Sequence, residues 1–163
     1  NPADSAPIRV HLIGHLQSNK AREAAEAFDW VQSVDRPRLV AALAQHRVGE
    51  RPPLNVLIQV NIEGEAGKSG CRPDEVFRLA DAIAAEPRLA LRGLMAIPQP
   101  DPDLQRRRTA FRALRRLHDT LQERHPRIDT LSMGMSEDFE LAIAEGATMV
   151  RIGTAIFGPR GRK

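Results

Sequence analysis

Four residues near the end of the chain have the types and spacing to hold an anion beside a buried cation. They lie within Met133–Gly158, which reads MGMSEDFELAIAEGATMVRIGTAIFG. Ser136 follows Gly134 and precedes Glu137 and Asp138, the composition of a turn that opens a helix. One reading makes Ser136 an N-cap, with acids favoured at the positive helix end. The other makes its hydroxyl, with the free N–H groups of the helix start, a receptor for a phosphate. Arg151 stands inside the apolar run MVRIG. Period-2 alternation sets it opposite Val150 and Ile152 and beside Met149. If Val150 and Ile152 face helices, Arg151 faces the interior, where a guanidinium without an acceptor is costly. It then needs either an acid on a neighbouring strand or an acceptor on a ligand. Gly153 ends the run and permits close backbone approach, and Thr154 adds a hydroxyl beside its own N–H.

Other candidates rank below these. His11 and His15 are four apart, but Gly14 breaks the segment between them and a strand does not converge such a pair, so a metal site is rejected. The loop GEAGKSG, with Lys68, lacks the GxxxxGK[ST] spacing of a P-loop and reads as a solvated βα loop. Arg106, Arg107, Arg108, Arg112, Arg115 and Arg116 lie on the polar side of an amphipathic helix. They read as a solvated face.

Composition narrows the field. The chain has 163 residues, 42% hydrophobic and 28% charged, with a formal net charge of +3. That is enough for one domain with a core, and no one-sign run marks a nucleic-acid arm. Aromatics are 4% and tyrosine is absent, which disfavours stacking on bases. Cys71 is the sole cysteine, so no internal disulfide forms and a reducing, cytoplasmic setting fits. No apolar run reaches the roughly 20 residues of a membrane helix.

The elements that must position the four residues alternate along the chain. Strand-type runs are expected at residues 8–13, 30–34, 54–61, 89–97, 129–133 and 149–152. LNVLIQVN (54–61) is apolar on both faces, as a buried parallel strand is. Helices are expected near 18–28, 38–46, 74–85, 104–124 and 137–145, with Ser18 or Asn19 capping the first and Asp35 the second. Strand–helix alternation of this kind predicts a parallel α/β fold in one domain over residues 1–163. Six units suit an open six-stranded sheet, or the last six of an eight-stranded barrel, which takes about 250 residues when whole. In the barrel reading Ser136 and Gly153-Thr154 follow strands seven and eight, where such barrels hold phosphate.

Five stretches carry a resemblance across nearly the whole chain. HLIGHLQSNK (His11–Lys20), VNIEGEAGKSG (Val60–Gly70), RGLMAI (Arg92–Ile97), LSMGMSEDFELAI (Leu131–Ile143) and VRIGTAIFG (Val150–Gly158) resemble, in order, the pyridoxal phosphate homeostasis proteins of the YggS/PROSC type. The resemblance implies a (β/α)₈ TIM barrel of PLP fold type III, like the N-terminal domain of alanine racemase. It implies binding of pyridoxal 5′-phosphate (PLP), no established reaction, and a homeostatic role in which PLP passes to apo PLP enzymes. Carried over to this sequence, Ser136, Gly153 and Thr154 hold the phosphate, with Met135 beside them, and Arg151 faces the pyridine nitrogen. An arginine there keeps that nitrogen unprotonated, because two cations repel, and makes the ring a weaker electron sink. His11, Met95 and Lys68 are further candidates for cofactor contact.

The same resemblance places the Schiff-base lysine upstream of residue 1. Lys20 and Lys68 match other positions, on loops after the family's third and fifth strands. The expectation is therefore a partial barrel of six βα units with no catalytic residue, holding PLP noncovalently at best. Two open sheet edges would bring poor solubility or closure through another chain. Alternative readings are a racemase- or decarboxylase-type PLP enzyme, and a regulator that binds nucleic acid through the arginine helix.

Overall fold

A computed structural model describes residues 8–99 and 101–158. Six strands run in sequence order through one parallel sheet: β1 (His11–Leu12), β2 (Trp30–Val34), β3 (Leu54–Gln59), β4 (Leu89–Met95), β5 (Thr130–Met135) and β6 (Met149–Arg151). Between and after them lie α1 (Ala21–Ala27), α2 (Pro37–His46), α3 (Val76–Ala84), α4 (Leu104–Arg124), α5 (Phe139–Ala144) and α6 (Thr154–Phe157). Parallel strands joined by right-handed crossovers that all step the same way put every helix on one face. The main core lies between that face and the helices. Val56, Ile58, Leu94, Leu131 and Met133 on the strands meet Leu43, Leu79, Ile83, Phe111 and Leu114 on the helices, all buried.

The other face curls onto itself. In a flat sheet, β2 and β5 would be about 14 Å apart, at roughly 4.8 Å per strand. Yet the Ser132 hydroxyl of β5 donates to Gln32 Oε1 of β2 at 2.7 Å, and Gln32 Nε2 also reaches Met149 Sδ of β6 at 3.2 Å. The sheet is thus a trough, the shape of a barrel wall, and alternation turns Leu57 and Met95 into it, both fully buried. Among the described residues β1 and β6 are edge strands, and both are very short. No described helix is long and apolar enough to cross a membrane.

Two glycines are demanded by packing. Gly93 has φ +143°, and a Cβ there would lie 1.9 Å from the Thr130 carbonyl oxygen, where β4 and β5 close together. Gly134 has φ +89°, and a Cβ would lie 2.5 Å from the Ala142 methyl, which seats α5 on the end of β5.

Local boundaries depart from the sequence expectations in ways that have causes. The first strand shrinks from residues 8–13 to His11–Leu12, where it pairs with Trp30 and Val31. Ser18 does not cap α1. Residues Ser18–Lys20 form a 3-10 turn, and Lys20 sits at the N-cap without a side-chain bond. Asp35 does not cap α2 either. Arg36 occupies the N-cap, Pro37 is at the first turn, and Asp35 pairs with Arg36 while accepting from the Gly70 N–H at 3.4 Å. The α4 arginines are less free than a solvated face implies: Arg108 and Arg112 both pair with Glu145, the C-cap of α5, Arg106 with Asp101, and Arg115 with Asp119.

Candidate functional site

The turn after β5 is closed by its own backbone and one carboxylate. Asp138 Oδ1 accepts from the Met135 N–H at 2.7 Å, and the Asp138 N–H donates to the Met135 carbonyl at 3.1 Å. Asp138 is the N-cap of α5, which starts at Phe139. The N-cap reading of Ser136 is therefore corrected: the turn is tighter than expected, and Asp138 takes the capping position. Ser136 serves another helix start. Its Oγ accepts from the N–H of Gly153 at 3.2 Å and of Ala155 at 3.3 Å, at the head of α6. The two loops expected to share a site are thus in hydrogen-bond contact. Gly153 is the N-cap of α6 and Thr154 its first residue. The Thr154 N–H has no partner among the described residues. A Cβ built on Gly153 meets nothing within 4 Å, so the space beside these N–H groups is open. Met135 is exposed beside them.

Arg151 ends β6 on the trough side, as alternation predicts. Val150 points the other way, with its Cγ1 close to the space beside Gly134 that Ala142 fills. Arg151 Nη1 donates to Ser132 Oγ at 2.7 Å and Nη2 to the Ala96 carbonyl at 2.8 Å. Among the described residues it forms no ion pair, so the acid partner on a neighbouring strand is not found. Burial pulls its pKa down to about 10, against the attraction of Asp138. It stays charged at neutral pH, with two of its five N–H donors spent on neutral oxygens.

The remaining candidates scatter. His11 lies in the trough: its Nδ1 is 2.9 Å from Gln32 Nε2, and its ring stacks on Trp30 at 5.0 Å. Burial lowers its pKa, opposed by Asp29, so it is neutral at pH 7. Met95 is buried in the trough at the end of β4. Lys68 is on the surface loop after β3, paired with Glu65, and Lys20 pairs with Glu23 at 2.8 Å. Neither lysine is free.

Sequence reasoning missed Gln32 and Ser132, the buried pair behind Arg151. The signal was there: each is the polar residue at an inward period in an apolar strand, WVQSV and TLSMGM. It also missed Gln59, buried at the end of β3 with no partner for its Oε1 among the described residues.

Known proteins share this arrangement of strands and helices. Residues 4–161 match the family of the alanine racemase N-terminal domain. The chain is 53% identical over 153 residues to the pyridoxal phosphate homeostasis protein of Vibrio cholerae, and 55% identical over 153 residues to that of Escherichia coli K12. Each alignment covers 94% of this chain, which spans 65% of the length of either relative. Among solved structures, PipY of Synechococcus elongatus with PLP bound superposes with a TM-score of 0.84 at 35% identity, over 96% of this chain and 73% of PipY. Alanine racemase of Corynebacterium glutamicum, at 19% identity, superposes with a TM-score of 0.70 over 94% of this chain and 43% of its own, a likeness of fold alone.

Proposed function

Because this chain belongs to the alanine racemase N-terminal domain family, among the pyridoxal phosphate homeostasis proteins, we propose that it binds PLP without catalysing a reaction on it. In this reading it is the greater part of a (β/α)₈ barrel of fold type III, and it keeps the cofactor in supply for enzymes that need it.

The observation that carries the reading is Arg151: a partly buried guanidinium with no carboxylate partner among the described residues, beside two loops whose hydroxyl and N–H groups converge. The donor set fits the group. Ser136 Oγ and the N–H groups of Gly153 and Thr154 suit a phosphate, which would take over the N–H groups that Ser136 now receives. Arg151 would donate to the ring nitrogen and disfavour its protonation. PLP supplies an electron-withdrawing ring and an aldehyde, and such a contact keeps that ring a weak electron sink, suited to keeping rather than reacting. Met135 would border the phosphate, and His11 and Met95 would lie beneath the ring in the trough. Lys68 belongs to the loop above, held by Glu65.

Calorimetric titration of the full chain with PLP tests this. Binding at one site per chain is expected, with competition from inorganic phosphate. Saturable PLP uptake that phosphate does not reduce, or none at all, would overturn the assignment.

A further inference from the structure

Arg151 can only donate hydrogen bonds, and that sets the direction of every bond behind it. Its Nη1 donates to Ser132 Oγ at 2.7 Å, so the Ser132 proton turns to its other neighbour, Gln32 Oε1, also at 2.7 Å. The amide oxygen of Gln32 is thereby assigned to the Ser132 side. Its nitrogen then faces His11 Nδ1 at 2.9 Å and Met149 Sδ at 3.2 Å. An amide NH₂ only donates, so His11 Nδ1 must accept, and the neutral ring carries its proton on Nε2. The chain crosses the trough through β6, β5, β2 and β1. Ser132 and Gln32 are 0% and 1% exposed, so water cannot replace a lost partner cheaply.

We propose that Ser132 and Gln32 are positioning residues for Arg151: a directed chain that ends on His11 fixes the plane of the guanidinium, and so decides which N–H groups it offers to a ring in the trough. The consequence for a ligand rests on the PLP reading above. The chain itself does not, because the His11 tautomer reports it without any ligand.

The test uses ¹⁵N NMR of the histidine side chains in the full chain, with His11 assigned by its loss in His11→Gln. In the wild type, His11 shows one neutral tautomer, protonated on Nε2. Ser132→Ala frees the Gln32 amide to turn, and the Nδ1-protonated form appears. Ser132→Thr, which keeps the hydroxyl, restores the single form. In the second arm, Gln32→Met weakens PLP binding roughly tenfold in the wild type. The loss is much smaller when residue 132 is already alanine, since Gln32 reaches Arg151 only through that hydroxyl. A wild-type His11 protonated on Nδ1, a tautomer indifferent to Ser132→Ala, or an equal loss from Gln32→Met in both backgrounds overturns the proposal. The expected tautomers in a chain that takes up no PLP would support the positioning chain and sink the proposed function.

Discussion

At the scale of single residues, hydrogen-bond direction decides more than charge. Arg151 keeps its cation in a partly buried place by donating to a hydroxyl and a carbonyl, without an opposing carboxylate. Replacing it with methionine should abolish PLP uptake in a calorimetric titration while leaving the helical circular dichroism intact, because the lost group stabilises a ligand and not the core. The titratable residue that matters for the fold is elsewhere. His118 of α4 is 5% exposed, and neither ring nitrogen has a hydrogen-bond partner among the described residues. Burial lowers its pKa, opposed mainly by Asp119. Its unfolded form takes a proton near pH 6.5 while the folded form refuses it. Stability should therefore fall as pH drops below about 6.5 and level off below the folded pKa, with His11 adding in the same sense. Urea midpoints measured across that range check it: His118→Gln should flatten the slope, and an unchanged slope would remove His118 from the account.

At the scale of elements, β4 and β5 leave no room for a side chain at Gly93, where a Cβ would lie 1.9 Å from the Thr130 carbonyl oxygen. Gly93→Ala should cost about 3 kcal/mol or more in urea unfolding, or prevent folding, because the added methyl meets backbone rather than a flexible side chain. This level was largely legible in advance. LNVLIQVN reads as a buried parallel strand from its apolar density, and Leu104, Phe111, Leu114, Leu117 and Leu121 read as the core face of α4 from their spacing; Phe111, Leu114 and Leu121 are buried, Leu117 is half-buried against the core, and Leu104 is exposed. The ends of strands and helices and their caps were not legible, because side chains from other segments compete for them. Asp35 is drawn to Arg36 and Gly70 instead of α2, and Ser136 is drawn to α6 across the sheet edge. The candidate site shows the same division. Alternation put Arg151 in the trough, but no local pattern could pair Ser132 with Gln32, since residues 100 apart meet only when the sheet curls.

At the scale of the molecule, the curl brings the loops after β5 and β6 above a polar trough, and leaves β1 and β6 as edges among the described residues. Short edges limit pairing with other chains but do not prevent it. Ile143, Ile156 and Phe157 stand exposed on α5 and α6, beyond the β6 edge. Light scattering should therefore show the mean mass rising with protein concentration, and a mass that stays monomeric at high concentration would show the edges to be self-protected. In the function proposed above, the trough holds PLP by its phosphate through Ser136, Gly153 and Thr154. The most direct measurement is equilibrium dialysis of the full chain against PLP and, separately, against pyridoxal, which lacks the phosphate. PLP should bind at least roughly tenfold tighter than pyridoxal, and Ser136→Ala should remove much of that difference. Equal uptake of the two compounds, or a preference untouched by Ser136→Ala, would contradict it.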